Sequence, residues 1–409
     1  MNIKRRIFIN TTFQMFGRFL SFFLSFISVF LLTRHLGVNG YGTYSLVFSY
    51  LSFFNIISDM GLSLIVVREL SKKSSFNSDD INNFVSIKIF LTFLSIFLAL
   101  LILIFLPYSN EAKILIIIAS FAVSIGSLTS FGSSILQAKL RMDLVAIIDL
   151  ITKFVTVSFI FFFVLLKLNI YLIVSTIMFG NIIGFILMMF FVKRFMILNQ
   201  LRKIKLNKEI LRESILMGIL TFVAFSYFKI DSIILSLYRS SLELGIYSLA
   251  YKVIENILIF WGLYMATIYP LMSMYSEKNI FKYKSIFNTT ILFSILFSFF
   301  CLIVGLTQSE LIIKLFGGVD FMVSVQPLKI LLFSLPFLVI NNTIYNALLA
   351  KAKIKEVIAC LIISMVFNII LNMIYIPTYG YMAAAYITLG TEMILFILYL
   401  NYYKFFYEK

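Results

Sequence analysis

The chain has 409 residues, 61% of them hydrophobic and 13% charged, with a mean hydropathy of +1.03. A soluble domain is about half apolar and about a quarter charged, so this composition excludes an ordinary globular protein and fits a polytopic membrane protein. The formal net charge of +16 does not indicate a nucleic-acid partner, because the cations gather in short loops between apolar runs, where they set topology.

The apolar runs are each about 20 residues long, which indicates membrane-spanning helices rather than the shorter alternating strands of a barrel. The basic start, Lys4-Arg5-Arg6, precedes a run too long for a signal sequence, with no small-residue cleavage site. It is therefore predicted to be a retained first helix. The predicted spans lie near 11–33, 42–65, 84–106, 113–136, 144–166 and 170–191, then 214–237, 246–271, 286–306, 325–349, 355–376 and 382–403. Between the two sets runs the one long polar stretch, with Lys193, Arg194, Arg202, Lys203, Lys205, Lys208 and Arg212 against Glu209. The expected organisation is an all-α membrane protein of about 12 transmembrane helices. It comprises an N-terminal six-helix lobe (1–191), a basic cytoplasmic linker (192–213) and a C-terminal six-helix lobe (214–409).

Orientation follows from Lys and Arg bias. With the N-terminus inside, the inner segments carry 23 of the 34 Lys and Arg, whereas the outer loops carry only Arg34, Lys113, Lys167, Arg239 and Lys314. Both termini are thus expected in the cytoplasm. The longest outer loop, 307–324, is too short for an extramembrane domain. Cys301 and Cys360 fall inside apolar runs and are expected as free buried thiols. The single histidine, His35, sits at a span end, where an interfacial role outweighs metal binding, and no metal site is expected.

The halves share a pattern. Gly42-Thr43-Tyr44-Ser45-Leu46 follows the first span, and Gly245-Ile246-Tyr247-Ser248-Leu249 follows the seventh. Leu136-Gln137-Ala138-Lys139 and Leu348-Leu349-Ala350-Lys351 close the fourth and tenth. Because six is even, two such repeats enter from the same side and are related by a pseudo-twofold along the membrane normal. Gly42 and Gly245 are read as structural, giving tight entry to spans two and eight.

Six cations fall within spans: Arg18, Lys88, Lys153, Lys229, Lys252 and Lys329. A charge at the bilayer centre costs about 2.5–3.5 kcal/mol on insertion scales. Lys88 and Lys329 lie near span ends and are expected to snorkel. Lys252 has Glu255 three residues on, a spacing that allows a pair. Lys229 and Asp231 point to different faces. Arg18 lies near mid-membrane, and Thr11, Gln14, Arg18, Ser21, Ser25 and Ser28 recur at steps of three and four, on one helical face. Such a stripe lines either an anion-attracting cavity or a tightly packed helix interface. Lys153 has Asp149 one turn earlier, which leaves a salt bridge and a substrate contact both open. Asp231 and Glu392 have no partner evident in the sequence. With Asp149 and Glu255 they are candidates for proton or sodium coupling, or for neutralising cations of neighbouring helices.

Several motifs together resemble a known family. Arg34-His35-Leu36-Gly37, Tyr41-Gly42-Thr43-Tyr44-Ser45, Asp59-Met60-Gly61-Leu62 and Val67-Arg68-Glu69-Leu70 in the first half resemble bacterial polysaccharide flippases of the Wzx type, within the MOP exporter superfamily. So do Leu244-Gly245-Ile246-Tyr247, Asn368-Ile369-Ile370-Leu371-Asn372, Ile376-Pro377, Tyr379-Gly380 and Ala383-Ala384-Ala385 in the second. The resemblance implies a V-shaped pair of lobes around a cationic cavity. It implies passage of an undecaprenyl-pyrophosphate-linked oligosaccharide, of O-antigen or capsule type, from the inner to the outer leaflet of the bacterial inner membrane. A pyrophosphate is a dense anion that guanidinium and ammonium groups bind well. Arg18 and Lys153, with Lys229 and the stripe residues Gln14, Ser21 and Ser25, are the expected substrate contacts. Arg68 and Pro377 are expected to be structural. Expected partners are the lipid-linked oligosaccharide, membrane lipids, a polysaccharide polymerase and a chain-length regulator.

Three alternatives stand beside this. An ion-coupled drug/cation antiporter of the same superfamily would favour buried carboxylates. A polysaccharide polymerase or ligase would need a larger outer loop. A lipid II flippase usually carries helices beyond twelve. The sequence shows no P-loop, nucleophile triad or metal-ligand cluster, so neither an enzyme nor a cofactor is expected beyond Na+ or H+ coupling.

Overall fold

The computed structural model describes residues 3–72, 78–193 and 208–402. Every regular element among them is helical. In chain order these are α1 (Ile3–Asp59), α2 (Leu62–Lys72), α3 (Ser78–Phe105), α4 (Asn110–Ala138), α5 (Met142–Leu165), α6 (Ile170–Lys193), α7 (Lys208–Tyr238), α8 (Ser241–Lys278), α9 (Ile280–Thr307), α10 (Ser309–Gly317), α11 (Val325–Ala350) and α12 (Ile354–Leu400). A short 3-10 turn, Val319–Ser324, precedes α11. Ten helical stretches among the described residues are long and apolar enough to cross a membrane. Large side chains such as Phe93, Phe105 and Phe300 are more than 65% exposed on them, which is the surface that hydrocarbon covers.

Two of these stretches, Phe19–Ser71 and Ile354–Leu400, are long enough for two crossings. At 1.5 Å per residue, the 47 residues of α12 would run roughly 70 Å, against about 30 Å of hydrocarbon. Each long stretch contains a glycine with left-handed backbone, Gly37 (φ 63°) in α1 and Gly380 (φ 59°) in α12. Only glycine adopts that region without strain. The region 307–324, expected as a loop, is instead the helix α10 followed by the 3-10 turn, with Ile313 and Phe321 fully buried.

The chain divides into two compact units. The first is Met1–Leu36 with Leu46–Phe225, and the second is Gly37–Ser45 with Ser226–Lys409. In the first, residues from α2 to α6, including Leu62, Ile87, Ile135, Ile148 and Met188, form one buried core. Small residues let its helices approach closely: a Cβ on Gly132 of α4 would strike Met188 of α6, and one on Gly180 would strike Thr156 of α5. In the second unit Trp261 is buried against Phe297 and Tyr264, and the Tyr283 hydroxyl donates to the Ala347 carbonyl at 3.0 Å. The repeated motifs meet here. Gly42 and Gly245 pack backbone to backbone, so that a Cβ on Gly42 would land on the Ser241 carbonyl, and one on Gly245 on that of Val38.

Each unit also contains a helix break, and charged side chains cap it. A break frees backbone N–H and C=O groups that need other partners. Around Gly380, Arg239 donates to the Thr378 carbonyl at 3.2 Å, and the Tyr381 N–H donates to Glu243 at 3.3 Å. Arg239 and Glu243 are themselves paired at 3.4 Å. Pro377, three residues earlier, has no N–H to satisfy. In the first unit the chain turns between α1 and α2 at Met60 and Gly61, both at positive φ. There Lys88 of α3 reaches the last turn of α1. Its ammonium donates to the Ser58 carbonyl at 2.9 Å and to Ser127 Oγ at 2.6 Å, and lies 3.7 Å from Asp59. The Ser63 hydroxyl donates to the same carboxylate. The expectation that Lys88 snorkels is thus corrected: only 1% of its side chain is exposed. The carbonyls ending α1 carry partial negative charge and draw the ammonium inward.

Candidate substrate and ion sites

In the first unit, Gly17 of α1 touches Ala146 of α5, with its Cβ position 3.2 Å from that of Ala146. One to two turns further along both helices, the Lys153 ammonium of α5 lies 3.4 Å from Ser25 Oγ and 3.5 Å from the Ser21 carbonyl. The structure therefore brings together three of the predicted contacts, Lys153, Ser21 and Ser25. The serine stripe serves its own helix as well: Ser25 donates to the Ser21 carbonyl and Ser28 to that of Leu24. Gln14 and Arg18 have side chains outside the described residues. Asp149 is exposed on α5. Arg68 is 45% exposed and pairs with its neighbour Glu69 at 2.8 Å. His35 Nε2 lies 2.8 Å from the Leu168 carbonyl.

The second unit holds two polar clusters. The first is cationic. Lys229 of α7 and Lys252 of α8 both bond to the Glu255 carboxylate, Lys252 at 2.9 Å. The three side chains are between 24% and 35% exposed. Two ammonium groups on one carboxylate leave a net charge of +1, and Lys229 also lies 5.2 Å from the Tyr251 ring centre. Lys229 bonds to a carboxylate on the next helix, and its charge also acts on Asp231.

The second cluster is acidic and deep. Ser240 caps α8 by accepting from the Glu243 N–H, and the tight α7–α8 corner runs the two helices antiparallel. Asp231 and Tyr247 each stand eight residues from Arg239 and so meet. The Tyr247 hydroxyl donates to Asp231, which also accepts from the Ser232 N–H at 2.7 Å and from Thr388 Oγ1 of α12 at 3.4 Å. Glu392, one turn beyond Thr388, accepts from the Tyr227 hydroxyl at 2.7 Å and from Asn341 Nδ2 at 2.8 Å. Asn368 donates to Thr391 Oγ1 at 3.3 Å, and Asn372 to Asn368 Oδ1 at 2.8 Å. Asp231 and Glu392 are 4% and 2% exposed. The carbonyl oxygens of the Asn341 and Asn372 side chains are buried with no hydrogen-bond donor. Carboxylate, hydroxyl and amide oxygens together form the donor set that hard monovalent cations and protons favour. The tyrosine and asparagine members were missed from sequence. Asn368 and Asn372, four apart in an apolar run, and Tyr247, within the repeated Gly245–Leu249 motif, were the available signals, whereas nothing distinguishes Tyr227 among 22 tyrosines.

Comparison with known proteins identifies the group. The family described as "Polysaccharide biosynthesis protein" matches residues 7–276, about two thirds of the chain. The chain belongs to this family. The MatE family also matches, over residues 216–374. Among curated protein sequences there is no match. Solved structures give the fold of this polysaccharide biosynthesis family member. An inward-facing multidrug resistance MATE family transporter of the MOP superfamily superposes with a TM-score of 0.77 at 12% identity, covering 94% of each chain. The lipid II flippase MurJ, in an inward closed conformation, superposes with a TM-score of 0.72 at 23% identity, covering 96% of this chain and 87% of that one. A MOP superfamily transporter from Pyrococcus furiosus gives 0.64 at 11% identity, over 99% and 95%. The family member thus carries the all-helical MOP fold, as its motifs suggest.

Proposed function

We propose that the chain is a flippase for an undecaprenyl-pyrophosphate-linked oligosaccharide of O-antigen or capsule type, carried from the cytoplasmic to the outer leaflet of the bacterial inner membrane. The observation that carries this reading is the cluster of Lys229, Lys252 and Glu255. It is half-buried on membrane helices and keeps a net positive charge, which a structural salt bridge would not need. Glu255 bonds both ammonium groups, and ammonium groups bind phosphate oxygens well. Lys153, with Ser21 and Ser25, and Arg18 supply further head-group contacts. Family membership supports a polysaccharide precursor as cargo, and the fold shared with a lipid II flippase supports a lipid-tethered one.

In this reading the breaks at Gly37 and Gly380 divide the two longest stretches, which makes twelve crossings in two halves with both termini cytoplasmic. Transport is by alternating access, with no chemistry performed on the cargo. Asp231 and Glu392, with Asn341, Asn372 and Thr388, take up the driving cation, sodium or a proton. The buried carboxylates also favour a second reading, an ion-coupled antiporter of organic cations.

The deciding experiment measures surface polysaccharide in a strain that depends on this protein, with Lys229→Met and Lys252→Met introduced singly and together. Export should fall with each and vanish in the pair, with unchanged amounts of membrane-inserted protein. Undiminished export in the double variant would refute the head-group role. Cation efflux that survives in that variant and is lost in Asp231→Asn would establish the antiporter instead.

A further inference from the structure

The first unit contains a trough that the proposed head-group chemistry does not use. It lies between α1 and α5, has a volume of about 500 Å³, and is walled by Leu24, Ile27 and Leu31 on one side and Phe154, Val157 and Phe161 on the other. Contacts between Gly17 and Ala146, then between Ser25 and Lys153, put the two helices in parallel register. Small residues close them together at one end, and bulky ones hold them apart further along. The hydroxyl in the trough, Ser158, donates to the Phe154 carbonyl at 2.8 Å, so the lining presents an apolar face. The volume lies within the range of about 300–1,000 Å³ typical of small-molecule sites.

A cation stands at each end. Lys153 marks the end where the helices converge. At the other, the Arg34 guanidinium lies 3.6 Å from the ring centre of Phe30, which also lines the trough, and His35 bonds to the Leu168 carbonyl just beyond α5. Nine residues separate Ser25 from Arg34, roughly 13 Å of helix.

We propose that this trough binds the polyisoprenyl chain of the carrier lipid, with its phosphate at Lys153 and then at Arg34. The inference rests on the reading that the cargo is lipid-tethered, and it adds where the tether lies. Depth selects the occupant. Lys153 is eleven residues into the 24 of α5, about 16 Å from its start, near the middle of the hydrocarbon. A bulk phospholipid keeps its phosphate at the interface and presents no anion there. A carrier lipid in transit does, and its branched chain fills the adjoining apolar space.

The test uses the full-length protein in nanodiscs containing phosphatidylglycerol, irradiated with geranylgeranyl phosphate that carries a terminal diazirine. Labelled peptides are mapped by mass spectrometry. Label should concentrate in 24–31 and 154–162. Unlabelled polyprenyl phosphate should displace it, and added phosphatidylglycerol should not. Val157→Trp, which fills the trough, should lower labelling about tenfold, the loss expected when a few isoprene methyl groups are excluded. Label spread over the whole lipid-facing surface, or displaced equally by phosphatidylglycerol, would overturn the proposal, as would full labelling of Val157→Trp. The mapping on unaltered protein decides the matter even where Val157→Trp fails to fold. Because labelling reads binding alone, it is independent of whether export needs Lys229 and Lys252.

Discussion

Replacing Lys88 by Met tests whether a buried ammonium holds the break between α1 and α2. Methionine fills similar space, so the change removes charge and hydrogen bonds rather than volume. The Ser58 carbonyl and Ser127 Oγ lose donors at 2.9 and 2.6 Å. Hydrogen bonds to charged groups are worth about 1.5–3 kcal/mol each. Serine 127 keeps a partner in Ser58 Oγ at 2.7 Å, so its loss falls at the low end. Breaking a fully buried ion pair costs about 3–5 kcal/mol, but Asp59 is 35% exposed and retains the Ser63 hydroxyl, so its stranded charge adds little. The expected loss is about 3 kcal/mol. At about 2–4 °C per kcal/mol for a unit of this size, the melting temperature in detergent should fall by roughly 6–12 °C, read by size-exclusion chromatography of heated samples. Adding Asp59→Asn to Lys88→Met should recover little of the fall, because the carboxylate is part-exposed and keeps the Ser63 hydroxyl. A Lys88→Met protein that melts with the parent would show that the ammonium snorkels after all.

Gly42→Ala should abolish the folded protein in membranes, because the atom it would strike is the backbone carbonyl of Ser241, and overpacking of that kind costs about 1–3 kcal/mol or more; Gly262→Ala, with nothing within 4 Å, should leave yield unchanged or raise it. Gly380→Ala should destabilise by about 1–2 kcal/mol from its positive φ and weaken the Glu243 cap, lowering the melting temperature without preventing insertion. Asp231→Asn should keep the fold but abolish the dependence of export on a sodium or proton gradient in right-side-out vesicles; unchanged dependence would move coupling to Glu392. Tyr247→Phe should weaken that dependence without removing it, since Thr388 still reaches Asp231.

Helices were legible because a span must be apolar for about 20 residues, and the lysine-rich joints between spans are equally plain. The pairing of charges was not. Lys252 and Glu255 share a helix face and could be read as a pair, whereas Lys229 finds the same carboxylate across 26 residues. Lys88 looked like a span-end residue because sequence distance to the end is all that a single chain shows. Its destination depends on where α1 stops, and that is fixed by the positive φ of Met60 and Gly61. The stripe on α1 was visible as a period, but whether its serines face another helix or their own carbonyls is a matter of rotamers.

These bonded charges separate into two sets by what demands them. A broken helix frees carbonyls and N–H groups that need hydrogen-bond partners, and side chains can supply them. Lys88 with Asp59 meets that demand at Met60–Gly61, and Arg239 with Glu243 meets it at Gly380. Each pair is close to neutral and bound to backbone, so the fold alone accounts for its presence. Lys229, Lys252 and Glu255 bond to one another and to no helix break, and they carry a surplus charge. Asp231 and Glu392 take their bonds mostly from hydroxyl and amide side chains with no cation bonded to them. Keeping such groups inside a membrane costs several kcal/mol with no return in backbone satisfaction. In the proposed function an anionic head group and a coupling cation would provide that return, which is why that proposal rests on the second set and not on the first.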